Sequence, residues 1–239
     1  MSSSIHSLQL PKRVAIVYSE VKEEYFPSHA QFVTEQYARR DAELTALYVA
    51  KLGSTPILYP ANSDLPQHLI KDRPDVIFHM ACSIKGKESL SAVLPGLYEL
   101  LDIPFTGATM KAEILSYDKF LTKKLLLAYG IPIPACQLFA TLPTPRHPDL
   151  HFPIITKLNE IHGVVEITAD AVSETETHLY NRIKYLCKTY KQPVIAEQFI
   201  EGREFTAIVL EKDELEVFLF ENIINKKTGK YTFTSFELS

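Results

Sequence analysis

Pro95-Gly96-Leu97-Tyr98-Glu99-Leu100-Leu101-Asp102-Ile103-Pro104-Phe105-Thr106-Gly107, then Ser116-Tyr117-Asp118-Lys119, then Gly130-Ile131-Pro132-Ile133-Pro134, is the stretch that decides the fold. Its first part reads as a helix feeding a strand that stops at Thr106-Gly107, where glycine permits the backbone sign of a tight turn. A short helix follows. Its second part reads as a longer helix with Ser116 as N-cap and Lys119 in the first turn, closed by Gly130. A first-turn lysine opposes the helix dipole, so an anion such as phosphate would offset it beside the free amides. A snorkelling surface lysine fits the same spacing.

Upstream, Val14 to Tyr18, Ile57 to Tyr59 and Val76 to Met80 are short apolar runs of the buried parallel-strand kind. Between the first two, Val33, Tyr37, Leu44, Leu47, Tyr48 and Leu52 recur at helical spacing, which predicts one helix from about Ser28 to Leu52, stopped by Gly53. A short helix near Leu65 to Ile70 precedes the third run. The alternation gives an α/β layer, whose functional loops lie at the C-terminal strand ends: Ser19-Glu20, Ala81 to Glu88 and Thr106-Gly107. His79 ends a strand and reads as a satisfied strand-end histidine or a ligand-facing one.

The 239 residues are 46% hydrophobic with a formal net charge of -4, enough for a substantial core and without the basic field that nucleic acid or anionic membrane would need. Cys82, Cys136 and Cys187 are far apart, which argues against a disulfide scaffold or zinc site and favours a reducing cytoplasm. No apolar run approaches a membrane span, and residues 1 to 12 read as a loose tail.

Downstream, Cys136 to Ala140 reads as a strand, and Pro143, Pro145 and Pro148 mark a loop. Phe152 to Lys157 alternates so that Ile155 and Lys157 share a face, an ammonium beside an apolar floor or an edge lysine that deters aggregation. Ser173 and Glu176 form a capping box for a helix whose Leu179, Ile183, Leu186, Cys187 and Tyr190 make a core stripe. Val194 to Thr206 reads as a strand running into Glu197-Gln198-Phe199-Ile200 and a Gly202-Arg203-Glu204 turn. Phe205 to Leu210 and Leu215 to Ile224 read as antiparallel strands, followed by a turn at Asn225 to Lys230 and a strand from Tyr231 to Phe236.

Taken in order, Ile103 to Gly107, Asp118-Lys119, Gly130 to Pro134, the strand ending at Lys157 and the Glu197 to Glu204 block resemble the D-alanine–D-alanine ligase branch of the ATP-grasp enzymes. The likeness covers about residues 76 to 210, with gaps. It implies a Rossmann-like parallel sheet (pre-ATP-grasp) followed by an incomplete α+β ATP-grasp domain. The divisions are a tail at 1–12, an N-terminal substrate domain at 13–108, a central subdomain at 109–192 and the start of a C-terminal subdomain at 193–239. Implied too is an ATP-dependent carboxylate–amine ligase that forms a dipeptide through an acyl phosphate, in peptidoglycan biosynthesis. Its substrates are small molecules (ATP and an amino acid such as D-alanine), with no nucleic acid or membrane, and a homodimer is admitted.

By position, Lys119 and Lys157 would meet phosphate, and Glu197 with the backbone of Gln198 and Ile200 would read adenine. Phe199 and Ile200 would form an apolar wall, Glu204 would accept the ribose hydroxyls, and Glu20 would be the loose counterpart of a substrate glutamate. The chain departs from the family in several places. No Gly-Gly precedes Glu20, the Ala81 to Glu88 loop lacks the His-Gly and Glu-Asp-Gly signature, and Leu158 to Val165 replaces a Gly-Ser-Ser-x-Gly phosphate loop, keeping only Gly163. The family's Mg2+ ligands have no counterpart, so no residue is nominated for metal, and Glu221 and Glu237 fall outside the motif. A catalytically silent nucleotide-binding or interaction protein on the same fold is the alternative. A Rossmann-type dehydrogenase is disfavoured because no G-x-G-x-x-G follows the first strand.

Overall fold

The computed structural model describes residues 10–140, 144–211, 214–224 and 230–235. The chain divides between Tyr117 and Asp118 into two compact units. The first is built on a parallel sheet of β1 (Arg13–Ser19), β2 (Thr55–Ala61) and β3 (Val76–His79) in the order β2-β1-β3. The register sets Ala15 beside Ile57 and Ile77, and Val17 beside Tyr59 and His79. Side chains alternate across such a sheet. Ala15, Val17, Tyr59 and Ile77 therefore share one core with Leu65 and Leu69 of α3 (Leu65–Asp72) and Leu94 and Tyr98 of α4 (Val93–Leu100). Ile16 and Tyr18 point the other way, onto Ala42 and Ala46.

The single helix expected over 28–52 is two: α1 (His29–Glu35) and α2 (Ala38–Lys51). Ser28 caps α1 by accepting from the Gln31 amide. The break lets the polar inner face of α1 reach the loop after β3, where Gln31 Nε2 donates to the Gly86 carbonyl (3.2 Å) and Ser83 Oγ donates to Glu35 (2.7 Å). The face of α2 also differs from the expected one: Ala42 and Ala46 are buried, whereas Tyr37, Leu44, Leu47, Tyr48 and Leu52 are exposed. Small alanines allow the helix to lie close to the sheet, so the larger residues point outward.

The expected strand ending at Thr106-Gly107 is a single bridge between Ile77 and Phe105, flanked by bonds from Ile77 N to Pro104 O and from Thr106 N to Ile77 O. Pro104 has no amide to extend the ladder. Gly107 has φ +106, the turn conformation read from the sequence. The helix cap also moves. Ser116 lies inside α5 (Met110–Tyr117), and Asp118, extended at φ -88 and ψ 102, caps α6 (Lys119–Ala128) by accepting from Leu121 N. Residues 1–9 of the expected tail lie outside the described residues. Pro11 and Lys12 are tied down by Ser54 Oγ and by Asp75, which accepts from the Lys12 and Arg13 amides.

The second unit holds a four-stranded sheet in the order β4-β7-β5-β6: β4 (Cys136–Phe139), β5 (Ile154–Leu158), β6 (Val172–Ser173) and β7 (Val194–Gln198). The boundary expected at 192/193 therefore passes through one sheet, because β7 is its inner strand. One face packs on α7 (Glu176–Tyr190), whose Leu179, Ile183, Leu186 and Tyr190 meet Ile154, Leu158, Val194 and Ala196. Ser173 pairs with Ile154 in the sheet, so it cannot open the helix; Thr175 caps α7 by accepting from His178 N. A ribbon of β8 (Glu204–Glu211) and β9 (Leu215–Asn222) follows. No strand forms over 230–235, and residues 225–229 of the turn expected at Asn225 to Lys230, with Phe236, Glu237 and Pro143, lie outside the described residues.

Glu35 is buried, its Oε1 has no hydrogen-bond partner, and burial raises its pKa despite the Ser83 bond, with Glu88 adding to the rise. A carboxyl whose folded pKa lies above the unfolded value favours folding at low pH and loses that contribution as pH rises through the folded pKa. Glu35→Gln is therefore expected to raise the thermal midpoint by a few degrees at pH 8 and to change it little at pH 4, as read by circular dichroism.

Candidate functional site

The sheet face opposite α7 carries Ile155 and Lys157 of β5 and Ile195 and Glu197 of β7. The antiparallel register pairs Ile155 with Glu197 and Lys157 with Ile195. Side chains diagonal to each other on one face remain within reach of long residues. Lys157 Nζ stands 3.1 Å from Glu197 Oε2, and Lys123 of α6 stands 3.3 Å from Oε1, so two ammonium groups flank one buried carboxylate. Glu197 Oε1 has no aligned hydrogen bond, so the Lys123 contact is a charge pair alone.

Below this face, Ile155, Ile167, Ala171, Val172 and Phe233 form a small core against which Phe199 and Tyr231 pack. Phe199 meets Phe233 edge-on at 5.8 Å between ring centroids. The Phe199 amide donates to Pro153 O and the Gln198 amide to Ala135 O, which fixes the end of β7.

A cavity of about 390 Å3 opens here, and Lys119, Lys157, Glu197, Gln198, Phe199, Ile200 and Glu204 all line it. Three separate blocks of sequence, Lys119, Lys157 and Glu197 to Glu204, thus share one wall with apolar Ile155 and Phe233. Glu20 is not among them. It lies past β1 in the first unit, where it accepts from Asn62 Nδ2 and Tyr25 OH (both 3.1 Å) beside Lys22. Those contacts lower its pKa, the Asn62 bond most. His79 bonds the Tyr98 hydroxyl through Nδ1 at 3.2 Å, and burial lowers its pKa, as for a strand-end histidine with a partner.

The polar groups of the cavity already have partners within the chain. Lys119 Nζ donates to Ile161 O and reaches Asn159 O at 3.5 Å, so this ammonium braces the loop that follows β5. In that loop Gly163 has φ +72, while Ile161 and Val165 turn into the core beneath. Glu204 accepts from the Thr234 amide at 2.9 Å and from its hydroxyl at 2.7 Å.

Three residues of the site escape a reading of the sequence. Lys123 follows Lys119 by one helical turn and could have been found from that spacing. Asn159 and Thr234 carry no motif. Asn159 is buried; its side chain donates to Asp118 (2.9 Å) and accepts from Phe120 N (2.9 Å), stapling the loop to the start of α6. Among the described residues no group of three or more His, Cys, Asp or Glu could hold a metal ion.

No family model matches the chain. It is 28% identical over 196 residues to the D-alanine–D-alanine ligase of Aquifex aeolicus (strain VF5), covering 81% of this chain and 63% of that relative. It is 30% identical over 184 residues to the D-alanine–D-alanine ligase of Carboxydothermus hydrogenoformans, covering 74% and 57%. The chain thus spans about three-fifths of the length of these curated relatives. Its structure superposes on the D-alanine–D-alanine ligase from Bacillus anthracis complexed with ATP with a TM-score of 0.58 at 19% identity, over 90% of this chain and 71% of that one. The fold is that of the ATP-grasp proteins. In sequence it is similar to D-alanine–D-alanine ligases over that part of their length.

Replacing Asn159 by Ala removes the staple and leaves the Phe120 amide without its acceptor, a loss of about 1–3 kcal/mol. Urea denaturation is expected to show a lower midpoint with an unchanged m-value. An unaltered midpoint would mean that the loop is held by other contacts.

Proposed function

We propose that this chain supplies the nucleotide-binding part of an ATP-dependent carboxylate–amine ligase. The observation that carries the reading is the convergence of Lys119, Lys157, Glu197, Phe199 and Glu204 on one cavity with an apolar floor. Ile155, Phe199 and Phe233 suit the faces of a purine. Glu197 and the backbone of Gln198 and Ile200 would read its edge, with the Gln198 amide already committed to Ala135. Glu204 would take the ribose hydroxyls in exchange for Thr234, and Lys119 and Lys157 would meet phosphate oxygens. Bound ATP would supply the phosphoryl group that activates a substrate carboxylate as an acyl phosphate, ready for attack by the amine of a second amino acid, D-alanine being the candidate.

In this reading residues 13–108 form the substrate domain and Glu20 contacts the amino acid, its carboxylate already set among Asn62, Tyr25 and Lys22. Magnesium would stabilise the transfer in the whole enzyme, but the described residues do not fit it, since they hold no group of three or more His, Cys, Asp or Glu that could bind it. The role is dipeptide formation for peptidoglycan in the cytoplasm, with a homodimer as the working assembly. Among the described residues no helix is long and apolar enough to cross a membrane.

The second reading, a nucleotide-binding protein without turnover, is favoured by the cavity's internal bonding and by the altered loop after β5. Lys119 serves that loop's carbonyls, and Ile161, Val164 and Val165 stand where bare amides would approach phosphate most closely. The two readings separate on phosphate release with magnesium and D-alanine.

Equilibrium titration is expected to give tighter binding of ATP than of NAD. Lys157→Ala should weaken ATP about tenfold, the scale of one charge-assisted bond, and weaken adenosine much less. Equal losses for ATP and adenosine would remove Lys157 from the phosphate subsite.

A further inference from the structure

Glu197 is buried and carries an ammonium partner at each carboxylate oxygen. Lys157 Nζ donates to Oε2 at 3.1 Å from within the cavity lining. Lys123 Nζ stands 3.3 Å from Oε1; its side chain is only 20% exposed, and it is not among the residues that line the cavity. One ammonium would balance one carboxylate, and desolvating a second costs free energy, so Lys123 is a surplus cation as long as Lys157 stays in place. The neighbouring lysines of α6 do not take this part. Lys119 donates to Ile161 O, and Lys124 lies over the Phe120 ring at 4.8 Å. Cys136, opposite Glu197 in the β4–β7 register, offers a neutral thiol: burial raises its pKa and the Glu197 charge adds to the rise.

We propose that Lys123 is a positioning residue that frees Lys157 for the nucleotide: it keeps the buried Glu197 carboxylate compensated and in place while Lys157 turns from Oε2 to a phosphate oxygen. The proposal deepens the nucleotide reading and rests on it. Charge carries the argument. Without Lys123, the departure of Lys157 would leave a buried carboxylate with no counter-ion, which costs more than one charge-assisted bond to phosphate returns. Lys157 would then stay on Glu197, and the phosphate contact would be lost. With Lys123 present, Lys157 exchanges one anion for another and Glu197 keeps its second cation. The effect of removing Lys123 is therefore bounded by what Lys157 itself contributes, and it falls on ligands that carry phosphate although Lys123 does not line the cavity. Adenosine, which has no phosphate, leaves Lys157 where it is.

Metal-free titration of the 239-residue chain with ATP and with adenosine tests it. Lys123→Met is expected to weaken ATP about tenfold, close to the effect of Lys157→Ala, and adenosine less than about twofold. Lys123→Arg, which keeps the charge, should bind ATP as the wild type does. In a Glu197→Gln background no carboxylate needs a counter-ion, so Lys123→Met should change ATP affinity less than about twofold, which neither a direct phosphate contact nor a merely structural role would produce. Without ligand, the thermal midpoint of Lys123→Met should fall by no more than about a few degrees, because Lys157 still balances Glu197. Unfolding of that variant would overturn the proposal by showing that Lys157 alone does not suffice. Equal losses for ATP and adenosine, no loss for either, or an undiminished effect in the Glu197→Gln background would overturn it and leave the nucleotide reading standing, with Lys157 serving carboxylate and phosphate at once. A wild type that binds no ATP would instead fail the nucleotide reading, and the proposal with it.

Discussion

The candidate site depends on the antiparallel register of β5 and β7. With Ile155 opposite Glu197 and Lys157 opposite Ile195, one sheet face carries an apolar floor and a lysine–glutamate pair while the other sets Ile154, Leu158, Val194 and Ala196 beneath α7. A slip of one residue would send Lys157 and Glu197 into the core against Leu179 and Ile183, where an uncompensated charge costs several kcal/mol. The hydrophobic pattern that fixes the core therefore also fixes the polar wall. Bonds from Gln198 to Ala135 and from Phe199 to Pro153 carry that register to the end of β7, where the cavity opens.

The cavity has an apolar floor and a polar wall, and the charged groups of that wall are engaged within the chain. Glu197 lies between Lys157 and Lys123, Glu204 holds Thr234, and Lys119 holds the loop after β5. Such internal pairing keeps buried charges satisfied and the wall rigid, which lowers the ordering cost of binding. The same pairing makes any ligand compete with the chain's own contacts, most directly at Glu204, where both carboxylate oxygens have a partner. A phosphate loop rich in glycine would offer spare amides. Here Asn159 and Ile161 give their carbonyls to Lys119 instead.

Much of this was legible in the sequence, and the failures have identifiable causes. The strands β1, β2 and β3 announce themselves as short continuous apolar runs, β5 by the alternation that sets Ile155 and Lys157 on one face, and the α7 stripe by a period of 3.6. Lys157 and Glu197 could be placed on strands, but their pairing is a cross-strand contact 40 residues apart that no local pattern encodes. Helix starts went astray where several capping residues compete: Asp118 and Thr175 prevail over Ser116 and Ser173 because Ser116 is already helical and Ser173 is committed to the sheet. The inner face of α2 was misread because hydrophobic periodicity favours large residues, whereas close packing on the sheet selected Ala42 and Ala46. Thr234 follows a stretch without periodicity, and only the folded chain brings it to Glu204.

The central claim is that the face formed by β5 and β7 holds an adenine nucleotide. Its most direct test is amide and methyl chemical-shift mapping of the 239-residue chain titrated with ATP. Saturable shifts are expected, concentrated at Ile155, Gly163, Ile195, Phe199, Glu204 and Thr234, with those of Thr234 among the largest as Glu204 changes partner. Saturable shifts confined to residues 10–117, or none at all up to millimolar ATP, would contradict it.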